Sequence, residues 1–114
     1  MREVEGREAA AKVVEAEAAL RSLELKTREE IRRATLDLES ARANHTKSEE
    51  QVRLARENMQ LVTDNYKAGL ATQLDATDAS TALASAELGL VAEELNAELA
   101  ELRLLKAAGA FDPQ

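Results

Sequence analysis

Cysteine and tryptophan are absent from this chain of 114 residues, proline occurs once, and aromatic residues make up 2%. Each shortage removes a class of protein. Without cysteine there is no disulfide framework and no thiolate chemistry, which suits the cytoplasm or a periplasmic helical segment. With Tyr66 and Phe111 as the only large aromatic side chains, a thick globular core cannot be filled. The one proline, Pro113, stands beyond the last helical pattern, so nothing of its kind breaks a helix before it. No apolar run approaches the roughly 20 residues that a membrane-spanning helix needs. The opening Met-Arg-Glu-Val-Glu-Gly has no apolar stretch of the signal-peptide kind. The chain as read is therefore expected to be soluble, with neither an export signal nor a membrane span.

Catalytic equipment is missing too. There is no Gly-rich phosphate loop, no Ser/His/Asp grouping and no metal-ligand cluster. The single histidine, His45, has no second ligand or nucleophile nearby in sequence and reads as a polar residue within a helix seam. No catalytic residue, metal or cofactor is expected, and the chain does not read as an enzyme. The net charge is −7, from 22 acidic and 15 basic residues. Arg and Lys are scattered among Glu, and the lack of a basic face argues against a nucleic-acid role.

What is abundant is alanine, leucine and glutamate. Hydrophobic residues are 45% of the chain, mainly Ala and Leu, which are strong helix formers. This composition predicts one all-α unit made of long helices joined by thin seams. The helical pattern stops at one place, Tyr66 to Ser80. Gly69 suits the left-handed residue that ends a helix. Thr72 and Asp75 then form a Thr-x-x-acid capping box that starts the next helix. A link that short makes the helices antiparallel neighbours. The predicted architecture is a long antiparallel hairpin: a descending helix over 7–68, a tip turn over 69–72, a shorter returning helix over 73–108 and a tail over 109–114.

The first arm carries a heptad line, Ile31, Ala34, Leu38, Ala41, His45, Ser48, Val52, Ala55, Met59, Val62 and Tyr66. Upstream the line reads Ala9, Val13, Ala16, Leu20, Leu23 and Thr27, joined to Ile31 through a stutter. The second arm carries two lines. One runs Leu74, Thr77, Thr81, Ala84, Leu88, Val91, Leu95, Leu99, Leu102, Leu105; the other runs Ala76, Ala79, Leu83, Ala86, Leu90, Ala97, Ala100, Leu104, Ala107. Two lines imply neighbours on two sides. At 1.5 Å per residue the arms are roughly 90 and 55 Å long. The excess, residues 9–27, has no partner within the chain. An isolated helix is marginal in water, and burying a large apolar side chain contributes about 1.5–3 kcal/mol, so self-association through this overhang is expected.

The tip, Tyr-x-x-Gly-x-x-Thr-x-x-Asp-x-x-Asp-Ala, resembles the periplasmic-tip motif of the TolC-like outer-membrane efflux proteins. The match covers Tyr66, Gly69, Leu70, Thr72, Leu74, Asp75, Asp78 and Ala79. It extends through Leu83 and Ala86 to the closing Leu-Leu-Lys-Ala-Ala-Gly of residues 104–109, and the Ala-rich first arm also matches. The resemblance implies the second-repeat hairpin of an α-barrel that closes as a trimer, without the β-strands of the family. It implies a periplasmic duct segment whose tip, at Ala68, Gly69 and Leu70, meets a periplasmic adaptor (membrane-fusion) protein. It implies that Asp75 and Asp78 lie at the entrance and that Tyr66 joins a polar network holding it closed. Ala71 stands where TolC has an arginine, so an arginine latch is not implied. From the residues alone, Asp75 is first a cap, Tyr66 a seam residue and Gly69 a turn residue. Leu70 has the least local reason to be where it is. The alternative is a stand-alone or engineered coiled-coil scaffold that dimerises and has no transport role.

Overall fold

The computed structural model describes residues 2–111. They form two helices, α1 (Arg2–Lys67) and α2 (Gln73–Phe111), with no strand among the described residues. α1 has 66 residues and no proline, and its only glycine is Gly6, close to its start. Its 1.5 Å rise per residue accounts for the long dimension of a molecule measuring 100 × 23 × 14 Å. The two shorter dimensions are the cross-section of two helices side by side. α2 continues through Gly109 to Phe111, past the point where the sequence pattern places a tail. Among the described residues Gly69 alone has a positive φ, so Gly109 stays helical and does not act as a stop. The remainder of the expected tail, residues 112–114 with Pro113, lies outside the described residues.

One line from each helix closes the hairpin. On α1 every heptad position from Ile31 to Val62 is buried or half-buried. On α2 the line is Ala76, Ala79, Leu83, Ala86, Leu90, Glu93, Ala97, Ala100, Leu104 and Ala107, again with no exposed member. Of the two candidate lines on α2, the alanine-rich one faces α1. The line from Leu74 to Leu105 is exposed throughout. Glu93 completes the heptad between Leu90 and Ala97, a half-buried acid where the sequence pattern left a gap. The tightest packing joins Leu38 and Ala41 of α1 to Ala100 of α2, flanked by Ala97 and Leu104. Small residues spaced along the seam let the helices approach closely, and the larger ones fill the intervals.

Two apolar features of α1 also lie outside the seam. Residues 2–26 of α1 are exposed, and Thr27 is the first half-buried position. Leu25, Leu36, Leu54 and Leu61 are also exposed. At about 100° per residue their spacing returns each to within about 20° of the one before, on the side of α1 away from the seam.

The seam assignment makes a clear contrast. Leu38→Ala should lower stability by about 2 kcal/mol or more, whereas Leu36→Ala should change it by no more than about 0.5 kcal/mol. Urea midpoints at fixed chain concentration measure both, and equal losses would contradict the packing described.

Candidate docking tip

α1 ends through its backbone. The Leu70 amide donates to the Asn65 carbonyl at 2.7 Å, and the Gly69 amide donates to the Tyr66 carbonyl at 3.1 Å. These are the paired bonds of a Schellman motif, and they require the left-handed residue that Gly69 supplies with φ 78°. A Cβ added at Gly69 would meet nothing within 4 Å. Glycine is needed there for conformation and not for space.

α2 starts through side chains. The Asp75 amide donates to Thr72 Oγ1 at 3.1 Å, and the Thr72 amide donates to Asp75 Oδ2 at 2.9 Å. Each residue satisfies a donor that the helix end would leave free, and the carboxylate also complements the positive end of the helix dipole. The Thr72 amide, followed by the Thr72 side chain, holds the Asp75 carboxyl below its ordinary range. A depressed carboxyl adds stability above its unfolded pKa and loses it as pH falls through the folded one.

Leu70 is left over by this capping. A Schellman motif often packs the side chain after its glycine against an apolar residue at the end of the helix. Here Asn65 occupies that place, and Leu70 is 78% exposed. Leu70, Ala71, Asp75 and Asp78 line one open groove of about 520 Å³ together with Asn58 and Asn65. Tyr66 lies on a different groove, among Gln73, Thr77, Ser80 and Thr81. The fold thus brings Leu70, Asp75 and Asp78 together and sets Tyr66 apart from them. Tyr66 also departs from the seam it continues in sequence, being 46% exposed. The nearest α2 residue on its groove that belongs to the seam is Ala76, and a methyl group cannot cover a phenol ring. Ala68 and Gly69 are exposed at the turn itself.

Behind the tip, charges flank the seam. Arg56 lies 3.7 Å from Glu87 and Arg42 lies 3.4 Å from Glu101, each pair bridging the helices. Along α1, Arg53 is bracketed by Glu50 and Glu57. Exposed pairs of this kind contribute little energy, but the cross-helix ones report the register. Their signal in the sequence is the seven-residue spacing of Glu87, Glu94 and Glu101 beside the alanine line. Among the described residues no three His, Asp or Glu side chains are grouped to hold a metal ion. No described helix is long and apolar enough to cross a membrane.

Fold and tip together define the class: a two-helix antiparallel hairpin with a capped turn, apolar on its outer sides as well as along its seam. The family follows from the sequence model of outer membrane efflux proteins, which matches residues 3–110. The chain belongs to the outer membrane efflux protein family, a family of transport channels, and the hairpin is a segment of such a channel. No curated protein and no solved structure matches it.

The tip geometry sets the effect of two substitutions. Thr72→Ala should cost about 1 kcal/mol of stability, and Gly69→Ala about 1–2 kcal/mol from the left-handed backbone alone. Gly69→Asn should recover part of the second loss. Urea unfolding checks all three. In Asp75→Ala, the part of the acid-induced loss that belongs to the cap should be missing.

Proposed function

We propose that the hairpin is a two-helix slice of the periplasmic wall of an outer-membrane efflux or secretion channel, and that its tip docks a periplasmic adaptor protein. The observation that carries this reading is an inversion of size. The α2 side of the seam is lined mostly by alanine, while the larger side chains Leu88, Val91, Leu95, Leu99, Leu102 and Leu105 stand exposed on the other side of α2. A hairpin that functioned alone would gain more by burying its leucines, at about 25 cal/mol per Å² of apolar surface. Apolar lines on opposite sides of both helices suit a wall in which each helix has two neighbours.

The overhang fits the same arrangement. Val13, Leu20 and Leu23 are exposed beyond the reach of α2, and a neighbouring copy supplies the surface that covers them. In the family architecture the closed assembly is a trimer. At the tip, Ala68, Gly69 and Leu70 form the adaptor contact: an apolar side chain on a turn whose backbone is already satisfied. Asp75 is occupied by capping, so Asp78 is the freer of the two acids to line an entrance. Tyr66, on the other groove, contributes its hydroxyl to contacts between neighbouring hairpins.

Two measurements test these assignments. Leu70→Asp should weaken binding of an adaptor hairpin at least tenfold in calorimetry while circular dichroism stays unchanged; undiminished binding would leave a coiled-coil scaffold as the better reading. Leu20→Asp combined with Leu23→Asp should shift the chain toward monomer in sedimentation equilibrium. A wild-type chain that is monomeric with residues 9–27 fully protected from hydrogen exchange would remove the self-association assignment.

A further inference from the structure

α2 contains a glycine that its own hairpin does not explain. Gly89 lies in the interior of the helix, where glycine weakens the fold relative to alanine. Among the described residues Gly69 alone has a positive φ, so Gly89 serves no special backbone conformation. A Cβ added at Gly89 would meet nothing within 4 Å, so it makes no room for a neighbour within the chain. It is exposed, in one patch with Ser85, Leu88 and Ala92. These four stand at i, i+3, i+4 and i+7, the outline of a hole that takes one side chain from a facing helix. Two turns nearer the tip the same spacing gives a second exposed hole, formed by Thr81, Ala82 and Ser85 with Asp78 at its edge.

The side chains that match these holes are on α1. Arg56 stands beside Glu87 in the hairpin. Two residues back from Arg56 is Leu54, level with Gly89, and five residues on is Leu61, level with Ala82. Both leucines are exposed, and they are seven residues apart, as the two holes are. Further from the tip the sizes are exchanged. Arg42 stands beside Glu101, which puts Ala43 and Ser40 level with the turn of α2 that carries Leu99 and Leu102. All four of these are exposed as well. At both levels the outer side of one helix is large where that of the other is small.

We infer that a second copy of this chain, side by side and with its tip level, inserts Leu54 and Leu61 of its α1 into these two holes on α2. This rests on the wall reading, in which neighbouring hairpins point the same way. The levels set within one hairpin then hold between two, and α1 of one copy runs antiparallel to α2 of the next. Gly89 marks the closest approach, because a residue without a Cβ opens the floor of the hole to the incoming leucine. The occupant is a second copy because knobs and holes are both written into this chain at matching levels. The contact joins two different surfaces, so it is heterologous and repeats around a ring.

The chain has no cysteine, so introduced thiols report the contact without background. Leu54→Cys and Gly89→Cys chains, mixed and oxidised, should give a disulfide-linked pair on a non-reducing gel. Leu54→Cys mixed with Leu99→Cys should not, since Leu99 stands about 15 Å off level. Sedimentation equilibrium supplies a second readout. Gly89→Leu fills the hole and should weaken self-association about tenfold. Its helix content by circular dichroism should be undiminished, since leucine is the better helix former. A wild-type chain that is monomeric at every concentration would remove the wall reading and this contact together. Three results would overturn the contact and leave the wall: association unchanged by Gly89→Leu, Gly89→Cys linking to itself, or Leu54→Cys linking to Leu99→Cys in place of Gly89→Cys.

Discussion

The reversal at Gly69 is the constraint on which the rest depends. Two long helices with heptad lines can slide past each other by whole heptads at modest cost, because each line repeats. The turn removes that freedom. Its Schellman bonds fix where α1 ends, and the Thr72–Asp75 box fixes where α2 begins. With both ends set and few residues between them, one register is left. Leu38 then packs with Ala100, and Arg42 and Arg56 meet Glu101 and Glu87. The same register sets His45 Nε2 3.6 Å from Glu94 Oε1.

The seam and the outer sides divide the work of packing differently from a self-sufficient hairpin. Alanines in the seam permit close helix approach but remove little apolar surface each. The outer leucines of α2, from Leu74 to Leu105, and the sparser leucine line of α1 stay in solvent. Close pairing inside and broad apolar surface outside is the distribution expected of a repeating wall, where every helix has neighbours on both sides. The family match over nearly the whole chain agrees with it.

Much of this was legible in the residues. The heptad of α1 is unbroken from Ile31 to Val62, and the capping box is a local pattern whose atoms lie within four residues of one another. The left-handed Gly69 was legible for the same reason. Three features were not. Tyr66 follows the heptad in number yet is half exposed, because the seam residue on its groove is Ala76, whose methyl group cannot cover the ring. Gly109 reads as a stop but continues the helix, since glycine permits a left-handed conformation without imposing it. Glu93 is missing from the apolar line because it is charged, whereas the heptad of its neighbours draws it into the seam.

The sequence by itself determined that the chain is helical, that it turns once, where it turns, and that its first arm outruns its second. These are properties of near neighbours: side-chain periodicity, a glycine and a cap. Only the tertiary structure decided which of the two apolar lines of α2 faces α1. Both have helical periodicity, and the exposed one is the more hydrophobic, so no local rule separates them. The choice is made by the direction in which the turn launches α2 and by the close approach that alanine allows. The pairing of His45 with Glu94 was settled in the same way, because residues far apart in the chain become neighbours only after the register is set.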